Sequence, residues 1–321
     1  MSVHGERGSW YRNGRSAGLR RFATAITVLN LLGYAFLGFE GSYAQPFVAA
    51  LVAYATELAL ETVDAGVRRR PARYLGGKIR VVEFLLPAHI SAMAVSMLLY
   101  ANENLAPFAF AAGTAIASKY LLRVPVAGES RHVFNPSNLG IAVTLLAFPW
   151  VGIAPPYMFT ENLGTAGDIV LPAVIVTLGT FLNARFTKRI PLIFAWVTAF
   201  AAQGLIRHLA FDQNLVSTLV PMTGVSFLLF TFYMITDPPT TPEGTRAQVA
   251  FGASVAAAYG VLLALHVVFG LFFALASVSA VRAAWLWSTS TARLPSTVHT
   301  APIAAAAPID NPTRPRMGPA T

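Results

Sequence analysis

Two polar, proline-bearing segments interrupt an otherwise apolar chain, and they hold most of the residues able to do chemistry. The first is RHVFNPSN at 131–138. Asn135 is a good helix cap, and Pro136 suits a first helical turn, where its missing N–H needs no partner. Capping alone accounts for that pair. It leaves Arg131, His132 and Asn138 unexplained: a cation and an imidazole beside the free amides of a helix start, which is a setting that attracts phosphate or another anion. The second segment is MITDPPTTPEG at 234–244. Its prolines stop a helix, and Asp237-Pro238 forces an extended turn. Asp237 is then either a turn former or, with Thr236, Thr240 and Thr241, part of a polar break that binds a cation or hydrogen-bonds a ring system.

A third feature is the pair Glu57 and Glu61, spaced i, i+4 and so on one helix face. Two carboxylates inside an apolar run cannot face lipid. They serve a proton or sodium relay, or they bond to another helix or to the arginine-rich loop that follows. His89 has no second ligand-type residue at metal-binding spacing and reads as a satisfied core histidine. There is no nucleotide-binding or zinc-protease motif and no nucleophile triad. With no cysteine, disulfides and thiolate-held metals are excluded within the chain.

The elements that position these groups are dictated by composition. Of the 321 residues 55% are hydrophobic and 12% are charged, and the mean hydropathy is +0.58. Soluble domains carry about 25% charged residues. The apolar blocks run to about 20 residues, enough to cross a ~30 Å hydrocarbon core. The fold class is therefore an all-α integral membrane bundle of about ten transmembrane helices. The spans fall at 22–39, 46–64, 83–101, 106–122, 136–150, 168–184, 190–208, 217–235, 248–265 and 267–285. The last two are separated by a tight hairpin near His266, because the apolar stretch from Val249 to Trp287 is too long for one crossing. Three regions follow: a basic N-terminal segment 1–21, a transmembrane domain 22–288, and a Pro-, Ala- and Thr-rich tail 289–321 that reads as disordered.

The net charge of +9 sits in short loops between spans, so it indicates a membrane surface and anionic lipid, not nucleic acid. With both termini cytoplasmic, every basic residue except Arg207 falls on the cytoplasmic side. That asymmetry predicts an N-in, C-in, multi-pass protein of the cell (inner or plasma) membrane. Ten spans permit a five-plus-five inverted repeat. Pro107–Leu122 and Pro242–Leu263 echo each other, each with a proline-led start, small residues and a late tyrosine.

RHVFNPSNLGI (131–141), FTKRIPLIFAW (186–196) and GVSFLLFTFYMITDPPTTP (224–242) give the sequence a family resemblance. It resembles the family of the D subunit of Rnf electron-transport complexes and the B subunit of the sodium-translocating NADH:quinone oxidoreductase. Within that family it is most similar to the UnbU-type membrane proteins of enediyne antibiotic gene clusters in actinomycetes. The resemblance covers roughly 110–245. It implies a ten-helix, flavin-associated subunit that supports electron transfer, alone or with other membrane or soluble redox subunits. It also implies a flavin site at Arg131, His132, Asn135, Asn138, Thr236, Asp237, Thr240 and Thr241. In the family a threonine in a Ser/Asp-Gly-Ala-Thr motif carries covalent FMN. The corresponding loop here has Thr160 and Thr165, neither preceded by Gly-Ala, so the expectation is noncovalent FMN or riboflavin, with Thr165 the fallback for a covalent link. Two other functions fit the residues: an ion-coupled exporter using Glu57 and Glu61 for self-resistance, and a non-catalytic scaffold that recruits enzymes through its basic loops.

Overall fold

The computed structural model describes residues 3–126 and 129–291, with side chains described for 18–126 and 129–290. The described residues are mostly helical, because an apolar backbone in lipid must satisfy its own N–H and C=O groups. In order the helices are α1 (Val3–Leu32), α2 (Ala44–Val67), α3 (Lys78–Leu98), α4 (Ala106–Leu121) and α5 (Pro136–Ala147). There follow α6 (Gly164–Leu182), α7 (Ile190–Phe211), α8 (Leu215–Leu219), α9 (Val225–Leu229), α10 (Thr245–Ala264) and α11 (Gly270–Thr291). Three π turns extend helices: Gly33–Leu37 after α1, Asn183–Thr187 after α6 and Phe230–Met234 after α9. Four short strands, β1 (Leu99–Tyr100), β2 (Arg123–Val126), β3 (Glu129–His132) and β4 (Gly152–Ile153), pair antiparallel as β1 with β4 and β2 with β3.

Among the described residues six helices are long and apolar enough to cross a membrane: α2, α3, α6 with its π turn, α7, α10 and α11. The pair α8–α9 makes a seventh if taken as one span, bent by 64° at Gly224. This is the build of a multi-pass membrane protein. Large apolar side chains lie on outward faces, as lipid contact requires: Phe47 and Leu51 on α2, Phe194 and Leu209 on α7, Val281 on α11.

Helical segments stand at all ten expected places, with informative differences. α1 begins at Val3, so the basic segment is helical from Val3 onward and continuous with the first apolar run. The span expected at 217–235 is the bent α8–α9 pair. α5 has only 12 residues, ~18 Å, and cannot cross a bilayer alone; α4 has 16. Both are largely wrapped by protein: Phe108, Ala111, Ala112, Ala115, Ile116 and Ile141 are fully buried, while Phe110, Leu121 and Leu146 stay exposed. Hydrocarbon thickness constrains less the length of a helix that packs mostly against protein. The hairpin near His266 is present, with His266 and Phe269 in the left-handed region between α10 and α11. α11 runs to Thr291, past the expected start of the tail; residues 292–321 of that tail lie outside the described residues.

The core changes character along the chain. Between α2, α4 and α5 it is built from alanines, and backbones approach closely. A Cβ on Gly140 of α5 would sit 2.4 Å from the Ala111 carbonyl oxygen of α4. Around α7, α9 and α10 it is aromatic: Trp196, Phe200, Phe227, Phe230 and Tyr259 pack ring on ring. The Trp196 indole donates to Thr231 Oγ1 at 2.9 Å.

Connections gather at two ends. At one, Arg20 pairs with Glu83, Arg73 donates to Tyr120 and Arg131 to Glu243, and Gln248 donates to the Lys188 carbonyl. This is the basic end. At the other, Gln45 donates to the Asn102 carbonyl, Tyr100 and Tyr157 reach Glu40, and Gly152 lies against Phe269.

Candidate functional site at the basic end

The two polar segments converge. Asn135 adopts extended backbone at the start of α5 and caps it: its Oδ1 accepts from the Asn138 amide at 3.0 Å and from Ser137 Oγ at 2.9 Å. Its Nδ2 donates to the Met234 carbonyl at 3.1 Å, in the π turn after α9. One side chain thus joins residues 99 positions apart. Asn138 Nδ2 donates to the Phe272 carbonyl of α11 at 3.0 Å, and its Oδ1 is buried with no partner.

The Asp237-Pro238-Pro239 turn bonds largely to itself. The Asp237 carbonyl accepts the amides of Thr240 and Thr241, both at 3.2 Å, and their hydroxyls at 3.2 and 2.9 Å. Thr240 Oγ1 also donates to Asp237 Oδ2 at 3.1 Å, and Thr236 donates back to the Phe232 carbonyl at 2.7 Å. All three threonines are buried. Helix-breaking prolines free carbonyls here, and short hydroxyl side chains take them up.

Two arginines outside the expected set hold this turn. Arg189, 5% exposed just before α7, donates from Nε to Thr241 Oγ1 at 2.9 Å and from Nη2 to the Pro238 carbonyl at 3.3 Å. Arg282 of α11 donates from Nη1 to the Thr240 carbonyl at 2.9 Å. Burial pushes the Arg189 guanidinium below its ordinary pKa, opposed by the charges of Glu243 and Asp237. Gln248 Nε2 completes the knot, donating to the carbonyls of Glu243 at 3.0 Å and Lys188 at 3.3 Å.

Arg131 lies nearby in a different setting. It is half-exposed at the end of β3 and pairs with Glu129 at 3.0 Å and Glu243 at 3.3 Å. The hydrogen bonds it donates to Glu129 and then to Glu243 raise its guanidinium above the ordinary value despite partial burial. His132 stands opposite Arg123 in the β2–β3 register. Thr165 does not join the group. It is exposed in the first turn of α6, while the π turn at that helix's far end meets the π turn after α9 through Asn183 and Phe232.

Glu57 and Glu61 form a separate cluster, buried and held by cations. Glu57 accepts from Lys119 Nζ at 2.6 Å and Tyr120 OH at 3.0 Å. Glu61 accepts from Arg70 Nη1 at 2.6 Å and from the backbone N and Nε of Arg73, both at 2.8 Å. Arg70 also bonds Asp64, and the two carboxylates hold its guanidinium above the ordinary range. His89 bonds Thr27 Oγ1 at 2.7 Å and Tyr54 OH, so both ring nitrogens are satisfied. It sits in a groove of about 660 Å³ between α1, α2 and α3.

Sequence reasoning missed Arg189 and Arg282 by assigning them to loop charge. The signal was present: Arg282 falls inside the apolar span 267–285, and an arginine there is a functional candidate by position. No family model matches the chain. No curated protein matches it significantly.

Proposed function

We propose that this multi-pass membrane protein is a redox subunit that binds FMN or riboflavin noncovalently at its basic end and supports electron transfer. The observation that carries this reading is the Asn135–Met234 hydrogen bond, which unites the two segments bearing the family resemblance. Flavin supplies a ring that takes up and releases electrons; the protein positions and tunes it. Most polar groups of the set already serve protein partners. Asn138 Oδ1 is the buried acceptor left for a ring N–H, and Asn135, Thr236, Asp237, Thr240 and Thr241 shape the wall behind it. Arg131 adds positive charge beside this group, with His132 next to it on β3. Thr165, on an exposed turn remote from these groups, supports no covalent attachment in this reading. Glu57 and Glu61 act as internal ion-pair partners, not as a relay.

The reading includes an N-in, C-in bundle of ten membrane segments in the cell membrane, with α4 and α5 as inner segments. A five-plus-five repeat is supported by matched contacts. Gly113 of α4 packs on Val52 of α2, and Gly252 of α10 packs on Leu192 of α7. Tyr120 and Tyr259 follow those glycines at the same spacing. Asn30 donates to its own Ile26 carbonyl and across to Met93; Asn183 donates to its own Gly179 carbonyl and across to Phe232. Enediyne-type biosynthesis is the pathway class the resemblance favours, with other redox subunits as partners.

Detergent-purified protein should carry extractable flavin or regain flavin absorbance on adding FMN or riboflavin. Protein that does neither overturns the reading. The bent α8–α9 pair favours one rival, an ion-coupled exporter. Deleting the gene distinguishes them: loss of product synthesis supports the redox subunit, and loss of self-resistance alone supports the exporter.

A further inference from the structure

Arg189 and Arg282 converge on one turn and are close enough for their charges to repel. Among the described residues, neither has a carboxylate within ion-pair distance. Arg189 bonds a hydroxyl and a carbonyl, and Arg282 bonds a carbonyl. The nearest opposing fields on Arg189 come from Glu243, which is paired with Arg131, and from Asp237. Neutral acceptors do not cancel a cation, and a buried Arg189 beside a half-buried Arg282 is a costly pair of like charges unless an anion joins them. The bonds above use Nε and Nη2 of Arg189 and Nη1 of Arg282. Among the described residues Nη1 of Arg189 and Nε and Nη2 of Arg282 have no acceptor, and they are not among the fully enclosed atoms. Two planar guanidinium forks with free N–H groups suit tetrahedral oxyanions, which accept several charge-assisted bonds at once.

We propose that Arg189 and Arg282 form a phosphate-binding site at the basic end of the bundle, outside the Arg131–His132 pair. The Thr240–Thr241 turn holds the two forks apart and aims them. The site goes beyond the flavin reading and stands whether or not flavin binds, since it requires only a phosphate group. That group belongs either to a lipid headgroup or to a soluble phosphorylated molecule.

Calorimetric titration of inorganic phosphate into the full-length, delipidated protein at low ionic strength tests it. The unaltered protein should bind phosphate, and Arg189→Gln and Arg282→Gln should each weaken binding about tenfold or more. The exposed Arg185→Gln should stay within about twofold. A second arm repeats the titration in nanodiscs containing phosphatidylglycerol. Competition by that lipid assigns the site to a headgroup, and undiminished phosphate binding assigns it to a soluble ligand. Absence of phosphate binding together with absence of phosphatidylglycerol retention by the unaltered protein overturns the site. So does an Arg185→Gln loss equal to the other two, which would mean a diffuse basic field. Should the glutamine variants fail to fold, amide exchange on the unaltered protein decides. Phosphate should slow exchange at 240–241, and unchanged exchange refutes the proposal.

Discussion

Around Glu57 and Glu61 each buried carboxylate meets at least one cation at 2.6 Å. Around Arg189 and Arg282 the cations meet, among the described residues, only carbonyls and a hydroxyl. Both groups lie at the basic end of the bundle, one on the α2 side and one on the α7 side. The first is closed: each carboxylate faces a cation, and Tyr120 and the Arg73 amide donate further hydrogen bonds to these carboxylates. The second carries surplus positive charge in a place that is costly for it. The contrast separates charge that holds a fold together from charge kept in readiness for something else.

That distinction can be broken by substitution. Lys119→Ala should have the largest effect, because it leaves Glu57 buried without its cation. The expected loss is about 3–5 kcal/mol of stability, read as a lower thermal midpoint in detergent. Glu61→Gln should cost less, about 1–3 kcal/mol by the same measurement, since Arg70 and Arg73 are partly exposed and can turn to water. Arg189→Met removes a cation with no carboxylate partner. It should cost only about 1–2 kcal/mol for its hydrogen bonds, and a loss as large as that of Lys119→Ala would erase the contrast. Arg131→Ala should cost under about 1 kcal/mol, because its carboxylate partners are exposed, and the difference should shrink further in high salt.

Much of this arrangement was legible in the sequence. Asn135-Pro136 reads as a cap because residue type and position suffice for capping, and Asp237-Pro238-Pro239 reads as a turn for the same reason. The i, i+4 spacing of Glu57 and Glu61 placed both on a buried face, and the arginine-rich loop was one of the partners expected. What stayed hidden depends on packing between distant segments. Arg189 borders an apolar run and resembles any loop arginine until Thr241 folds beside it. Arg282 is visible as an anomaly, yet its meaning depends on a turn 42 residues away. The 64° bend at Gly224 has no proline inside it; Pro221 precedes it, and Pro156 from the loop after α5 packs against it. The short α4 and α5 depart from bilayer length because they are largely enclosed, and enclosure is a property of the whole bundle.

The π turn Phe230–Met234 has a consequence for register. Each π turn holds about one more residue than an α turn, so everything beyond it is rotated by roughly 100° about the helix axis. Deleting one residue there would restore the α period and swing the Asp237 turn away from both arginines. The Met234 carbonyl would leave Asn135 in the same motion. A single inserted residue thus acts as a phase setter, bringing the end of one helix into step with α5, α7 and α11 at once.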